Sequence, residues 1–353
     1  VASFAFAAGA QEASGPATVD FWLYGGAAEN IALNKAWVDK FNEENSDIEV
    51  VLTEQDWNTV FEHYQTAAMA GTLPDLARIH SPFINAFGAQ GGFIEPLNNF
   101  ADFPEVKSLF VEGFMEACAI DGQYWGFPDT PILFPVVANP EVFAKAGVPK
   151  PDDSNWTWND FREISKQLTQ DFDGDGTPDQ YGYAIMGGDL GGTAYRMAPL
   201  VFNGGGEAFN ADMTESLMAT EAWVDLLQLL TDMNLVDGSI DPGILTDGFG
   251  DVMNKWAAGT VAMDIEWPGF PATVRTIKPG AEVWTLQLPK ADTIKGAGSV
   301  GTLSDMSIVV MSAASKNKDA AWEFLKFKTG PAFDANFTDA ANGGLPVIKA
   351  TYD

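Results

Sequence analysis

The sequence predicts an α/β protein of two lobes, in which the chain leaves the first lobe and later returns to it. Three observations predict it. Residues 18–52 read as strand, amphipathic helix and strand at the spacing of a βαβ unit, which implies a largely parallel sheet. Helical and strand patterns then alternate to the end of the chain, and 353 residues with 46% hydrophobic content suffice for two domain-sized cores.

The elements follow in order. Residues 18–24 are β-branched and aromatic and stop at Gly25 and Gly26, as a strand ending in a turn does. From 29 to 44, Leu33, Trp37 and Phe41 recur four apart, on one face of a helix, and 48–52 is a second strand. A helix over 59–70 is stopped by Gly71 and Pro74, and 76–79 is a short buried strand. Between 113 and 139, Gly122, Gly126, Pro128, Pro131 and Pro135 interrupt short apolar runs, which suits extended crossover strands. Helices are expected at 159–168, 221–233 (Ala222, Leu226, Leu229 and Met233 on one face) and 318–328. Strands at 282–288 and 306–311 flank a polar link at 290–298. There is no internal repeat.

Charge excludes several partners. With 19 Lys+Arg against 49 Asp+Glu, the formal charge is −30, so a phosphate backbone or an anionic membrane surface is repelled. Such acidity keeps a surface soluble and suits a saline habitat. Cys118 is the single cysteine, which excludes an intramolecular disulfide and a cysteine zinc site; its apolar neighbours mark a buried, inert thiol. Two histidines, His63 and His80, are too few for a histidine-rich metal centre. The G-x-x-x-x-G-K-[ST] and G-x-S-x-G spacings are missing, and the glycines at 204–206 lack the G-x-G-x-x-G spacing. Residues 1–10, small and apolar with an A-x-A pattern at 8–10, are expected to be the remnant of a signal peptide, and 11–17 a flexible mature start.

Two patterns carry chemistry. In the run DFDGDGTPD at 171–179, Asp171, Asp173, Asp175 and Asp179 occupy ligand positions 1, 3, 5 and 9 of a calcium loop, Gly176 supplies the sharp turn, and Thr177 stands at the carbonyl position. Position 12 is Gly182 where a Glu is expected, so the expectation is a structural Ca²⁺ completed by water, or a rigid Asp/Gly turn with no ion. No other cofactor is required. Eleven Trp and seven Tyr form the second pattern. Trp22, Tyr24, Trp57, Trp125 and Trp267 sit beside turns, where rings stack on sugar C–H faces while acids and amides bind hydroxyls.

Ten motifs stand in an order that resembles the family 1 extracellular solute-binding proteins, the maltose-binding-protein-like sugar receptors of ABC importers. They are FW at 21–22, AGTLPD at 70–75, QGGFIEPL at 90–97, DGQYWGFP at 121–128, Asn139 with FAKAG at 143–147, TWNDF at 157–161, DGDG at 173–176 with QYG at 180–182, NGGGE at 203–207, AGTVAM at 258–263 and AAWEFLKF at 320–327. The match runs from about residue 18 to 346.

The resemblance implies a bilobed periplasmic-binding-protein fold (type II), two α/β lobes joined by a hinge with the ligand cleft between. Lobe one would be 18–128 plus 298–346, and lobe two 132–292 plus 347–353, with further C-terminal helices missing. It implies a monomeric, non-enzymatic receptor in the periplasm or outside the cell, free or membrane-tethered, that binds a carbohydrate and docks on the permease subunits. Tyr24, Trp57 and Trp267 are the expected stacking rings. Glu29, Asp56, Asp129, Asn203, Glu266 and Asp305 are the expected hydroxyl partners, with His80 and Arg196 as further polar contacts. Two departures stand out: Ala138 replaces the family's Tyr before Asn139, and no Trp follows Asp75, which weighs against a maltodextrin. The rivals are the same fold binding glycerol-phosphate or another polar solute, and a secreted glycosidase using a carboxylate pair.

Overall fold

Val19, Phe21 and Leu23 alternate with exposed or half-exposed Asp20 and Trp22, so the first strand, β1 (Ala17–Tyr24), turns one face into a core. The computed structural model describes residues 15–24, 28–56, 59–81, 83–188, 190–210, 214–294, 304–330 and 345–351. After β1 come α1 (Ala28–Glu44), β2 (Ile48–Gln55), α2 (Val60–Ala70) and β3 (Leu76–His80). β2 and β3 both lie parallel to β1, the arrangement that the βαβ spacing predicts. α2 buries Val60, Tyr64, Ala67 and Ala68 and stops at Gly71, whose φ of 67° is the left-handed cap that glycine adopts without strain.

Residues 113–139 are only partly extended. Short helices α3 (Phe103–Ser108) and α4 (Glu112–Glu116) precede the small hairpin β4 (Ala119–Ile120) and β5 (Gln123–Tyr124), then β6 (Phe127–Leu133) and β7 (Val136–Ala138). α5 (Pro140–Ala146) begins where the Asn139 side chain accepts the Glu141 N–H. α6 (Trp158–Leu168) opens with a capping box, Thr157 and Asp160 each accepting the other's backbone N–H, and buries Trp158, Phe161, Ser165 and Leu168. There follow β8 (Tyr181–Tyr183), α7 (Leu190–Asn203), α8 (Glu221–Leu235), α9 (Phe249–Ala258), β9 (Val261–Ile265), α10 (Phe270–Ile277) and β10 (Trp284–Leu286). β11 (Ser304–Met311) and α11 (Lys318–Lys328) complete the larger elements.

The described residues form two units. The first holds those up to Thr130, those from Met306 to Gly330 and those from Pro346 on; the second holds those from Pro131 to Asp305 and Leu345, so Ser304, Asp305 and Leu345 fall outside the first lobe in which 298–346 was expected. In the first, the sheet runs β2-β1-β3-β11-β6, with β11 antiparallel to β3. β11 arrives on the returning chain, not through a crossover helix, so nothing forces it to be parallel. α11 packs on this sheet, Phe324 meeting Phe21 edge-on with ring centroids 5.7 Å apart. The expectation that 347–353 belongs to the second lobe is corrected here: Val347 and Ile348 are buried in the first unit's core, and Val111 N–H donates to the Val347 carbonyl over 2.9 Å.

In the second unit the sheet runs β10-β7-β9-β8, and only β8 lies parallel to its neighbour β9; β7 and β10 are antiparallel. Its core gathers Trp158, Phe161, Leu226, Met233, Met263 and Ile265. Cys118 is buried in the first unit, and burial pushes its thiol well above the usual range, as the sequence reading of an inert thiol expects. No helix among the described residues is long and apolar enough to cross a membrane.

Candidate functional site

In the first unit the candidate residues meet at the sheet's strand ends. Tyr24 closes β1 and His80 closes β3; their rings stack at 5.2 Å and 8°. The Tyr24 hydroxyl pairs with Ser307 Oγ on β11 at 3.1 Å. Beneath them Arg78, also on β3, places its guanidinium 5.1 Å from the Tyr24 ring centre and donates from Nη1 to the Tyr24 carbonyl over 3.1 Å. Its Nε lies 2.9 Å from Oδ2 of Asp129 on β6, and its Nη2 donates to Thr130 Oγ1 over 2.8 Å. Lys328 on α11 pairs with the other Asp129 oxygen.

All these charged groups are buried. Burial alone would raise the Asp129 pKa, but the Lys328 and Arg78 charges outweigh it and hold the carboxyl below its ordinary value. Asp129, expected to meet a hydroxyl, therefore has both oxygens engaged inside the protein. Lys328 was not among the expected residues, although the face Ala321, Leu325, Lys328 of α11 is that helix's buried stripe.

Other candidates in this unit are less closely placed. Asp56 is exposed, and its carbonyl accepts the Thr59 and Val60 N–H groups in the turn into α2. Glu29 lies in the first turn of α1. Asp305, on β11, is the last residue of the stretch that belongs to the second unit. Trp57 lies outside the described residues.

The second unit brings Arg196 and Glu266 together. Arg196, on α7, sets Nη2 at 2.6 Å from both Glu266 oxygens and Nε at 3.2 Å from Oε1, while Nη1 donates to the Gly192 carbonyl over 3.0 Å. Both residues are buried. A third charged residue was missed: Asp264 on β9, fully buried beside them, its Oδ1 accepting the Ile265 N–H at 2.7 Å. Burial first, and the Glu266 charge second, push the Asp264 carboxyl well above the ordinary range. The available signal was an acid inside the run VAMDI, where all five positions are buried.

Asn203, the last residue of α7, donates its amide to the carbonyls of Leu288 and Pro289 at 2.8 and 2.9 Å, fastening the helix end to the segment after β10. Trp267, one residue beyond Glu266, packs against the second unit's core on one side and remains half-exposed.

The acidic loop stands apart from these clusters. Gln170 and Gln180 bridge its neck, Gln170 N–H donating to the Gln180 carbonyl at 2.9 Å. One carboxylate oxygen from each of Asp171, Asp173 and Asp179 lies within 4.8 Å of the others, and all three residues are exposed. The Asp171 oxygens accept the Gly174 and Gly176 N–H groups at 2.7 and 2.8 Å, which lowers its pKa; the Asp175 carboxylate accepts Thr177 N–H at 2.7 Å. Three convergent, hydrated carboxylates suit a hard divalent cation, while the amide contacts also hold the turn without one.

Comparisons agree with this architecture. A binding protein of Brucella abortus is 28% identical over 309 residues, spanning 88% of this chain and 71% of that one. The lactose-binding protein of Rhizobium radiobacter is 24% identical over 307 residues, spanning 84% and 67%. The crystal structure of an ABC transporter solute-binding protein from Thermotoga lettingae, bound with α-D-tagatose, superposes with a TM-score of 0.80 at 20% identity, over 95% of this chain and 82% of that one. The family profile of the bacterial extracellular solute-binding proteins matches residues 26–334, and with the motif order and the two α/β units it shows that this chain belongs to that family.

Proposed function

We propose that the chain is the sugar receptor of an ABC importer, binding an uncharged mono- or oligosaccharide outside the cytoplasm and delivering it unaltered to the permease subunits. The observation that carries the choice of solute is the state of the arginines. Arg78 and Arg196, which an anionic solute such as glycerol-phosphate would need, are each already paired with a buried carboxylate. Relatives named for lactose and solved with tagatose support the same solute class. Trp267 supplies the stacking ring of the second unit, because it is anchored on one side and half-exposed.

A thermal-shift panel of lactose, maltose, maltotriose, D-tagatose and glycerol-3-phosphate tests this. A ligand that binds only the native state raises the melting temperature, by about 3–4 °C at a hundredfold excess over Kd. Chromatography should recover the bound sugar intact; released products would make the protein a glycosidase, and a response to glycerol-3-phosphate alone would overturn the uncharged solute. Trp267→Ala should weaken sugar binding by about tenfold to a hundredfold.

A further inference from the structure

We propose that Gly269 is a positioning residue for sugar binding: the missing side chain at 269 is the seat that holds the Trp267 ring in its binding pose. The inference rests on the reading of Trp267 as a sugar-stacking ring. A β-carbon added at Gly269 would lie 1.9 Å from Cζ3, 2.0 Å from Cη2 and 2.7 Å from Cε3 of Trp267, so the outer edge of the indole fills the space where any other residue begins its side chain.

Backbone conformation does not explain the glycine. Gly269 has φ −79° and ψ −4°, a region open to every residue. Nor can the backbone move aside. Gly269 is the N-cap of α10, its carbonyl accepts the Ala272 and Thr273 N–H groups at 3.1 Å each, and the Trp267 carbonyl accepts the N–H of fully buried Phe270 at 3.0 Å. What remains is the ring, which is half-exposed and so has solvent to move into. Carbon atoms in contact sit about 3.5–4.0 Å apart, so a methyl group at 269 displaces the ring edge by at least about 1.5 Å.

Two other tryptophans sit on glycines in the same way. A β-carbon at Gly88 would meet Trp125 at 2.6 Å, and one at Gly204 would meet Trp158 at 2.6 Å. Trp158 is buried core, so there the glycine serves packing. Gly269 differs because its ring stands directly after Glu266 at the end of β9, on the stretch that carries the Arg196 pair. A shift of this ring therefore moves a surface that a solute can touch, not only the core.

The test uses Gly269→Ala in the full chain, labelled with 5-fluorotryptophan, with the Trp267 resonance assigned by its loss in Trp267→Phe. The expected result is a displaced Trp267 fluorine resonance with most others unchanged, a melting temperature within a few degrees of wild type, and at least about tenfold weaker calorimetric binding of whichever of lactose, maltotriose or D-tagatose the parent binds. In the double variant Gly269→Ala with Trp267→Phe, the smaller ring should restore any melting temperature lost by Gly269→Ala alone. An unmoved Trp267 resonance overturns the proposal, as does a moved resonance with unchanged sugar affinity while Trp267→Ala weakens binding. If Trp267→Ala itself leaves affinity unchanged, the failure lies with the reading of Trp267 as a sugar ring, and is recognised as such.

Discussion

Each unit buries a cluster of charged residues against its sheet, and the two clusters solve opposite problems. In the first unit one carboxylate, Asp129, is gripped by two cations, Arg78 and Lys328. In the second, one cation, Arg196, is shared by two acids, Glu266 and Asp264. Where cations converge, the carboxyl is held ionised against its own desolvation. Where acids converge, the pKa of one of them rises, because burial and the neighbouring carboxylate both disfavour a second negative charge. The lesson is that a chain with 49 acids and 19 basic residues can afford dry carboxyls only by pairing them or raising their pKa.

Removing Asp129 should give the largest effect. Asp129→Ala strands two buried cations, and breaking a buried pair in this way costs about 3–5 kcal/mol. Urea denaturation measures the loss, and hydrogen exchange should place it in the amides of the first unit. A loss below about 1 kcal/mol would mean that the cations are served elsewhere and would break the comparison.

Asp264→Asn should act in the other direction. The folded Asp264 carboxyl titrates above its unfolded value of about 3.9, so as pH rises past that value the unfolded chain releases a proton that the folded chain keeps. The second unit then loses about 1.4 kcal/mol per pH unit until the native carboxyl itself ionises. An Asn amide keeps the acceptor for the Ile265 N–H and gives Glu266 a donor without a titrating group. The variant should gain on the wild type progressively as pH rises above about 4, whereas the Asp129 contribution, present above about pH 3.9, is lost only as pH falls through the depressed native value. Parallel pH profiles for Asp264→Asn and wild type would show that the native carboxyl is ionised, and Arg196 would then have to serve both acids.

Much of this fold was legible because local signals agreed with each other. The βαβ start and the helices expected at 159–168 and 318–328 each appear close to where the sequence placed them, while the Thr157–Asp160 box and the buried stripe of α11 show why those helices begin and pack as they do. β9 was invisible for a physical reason: all five residues of VAMDI are buried, so the strand lacks the alternation that marks one face as wet. Arg196 and Glu266 were both named, yet their union spans 70 positions and no spacing rule connects them. Gly269 was beyond reach for the same reason, since its φ and ψ suit any residue and only a folded neighbour shows why the side chain is missing.

The smallest expected effect sharpens the comparison at the surface of the second unit. Asp171, Asp173 and Asp179 crowd three carboxylate oxygens within 4.8 Å, yet all are exposed, so hydration and backbone amides offset the repulsion that at buried Asp264 raises the carboxyl's pKa. We propose that Ca²⁺ supplements those amides here. With Gly182 in place of the bidentate Glu, the affinity should fall in the weak range of about 10⁻⁴–10⁻³ M. At about 5 mM Ca²⁺ that corresponds to about 1–2 kcal/mol by mass action, or a rise in melting temperature of a few degrees. EGTA should reverse the rise, and Asp173→Asn should abolish it without changing the calcium-free melting temperature, because the Gln170–Gln180 neck and the Asp171 contacts persist. A melting temperature indifferent to calcium would show that amides and water alone satisfy the loop, and that this unit neutralises its acids only where they are buried.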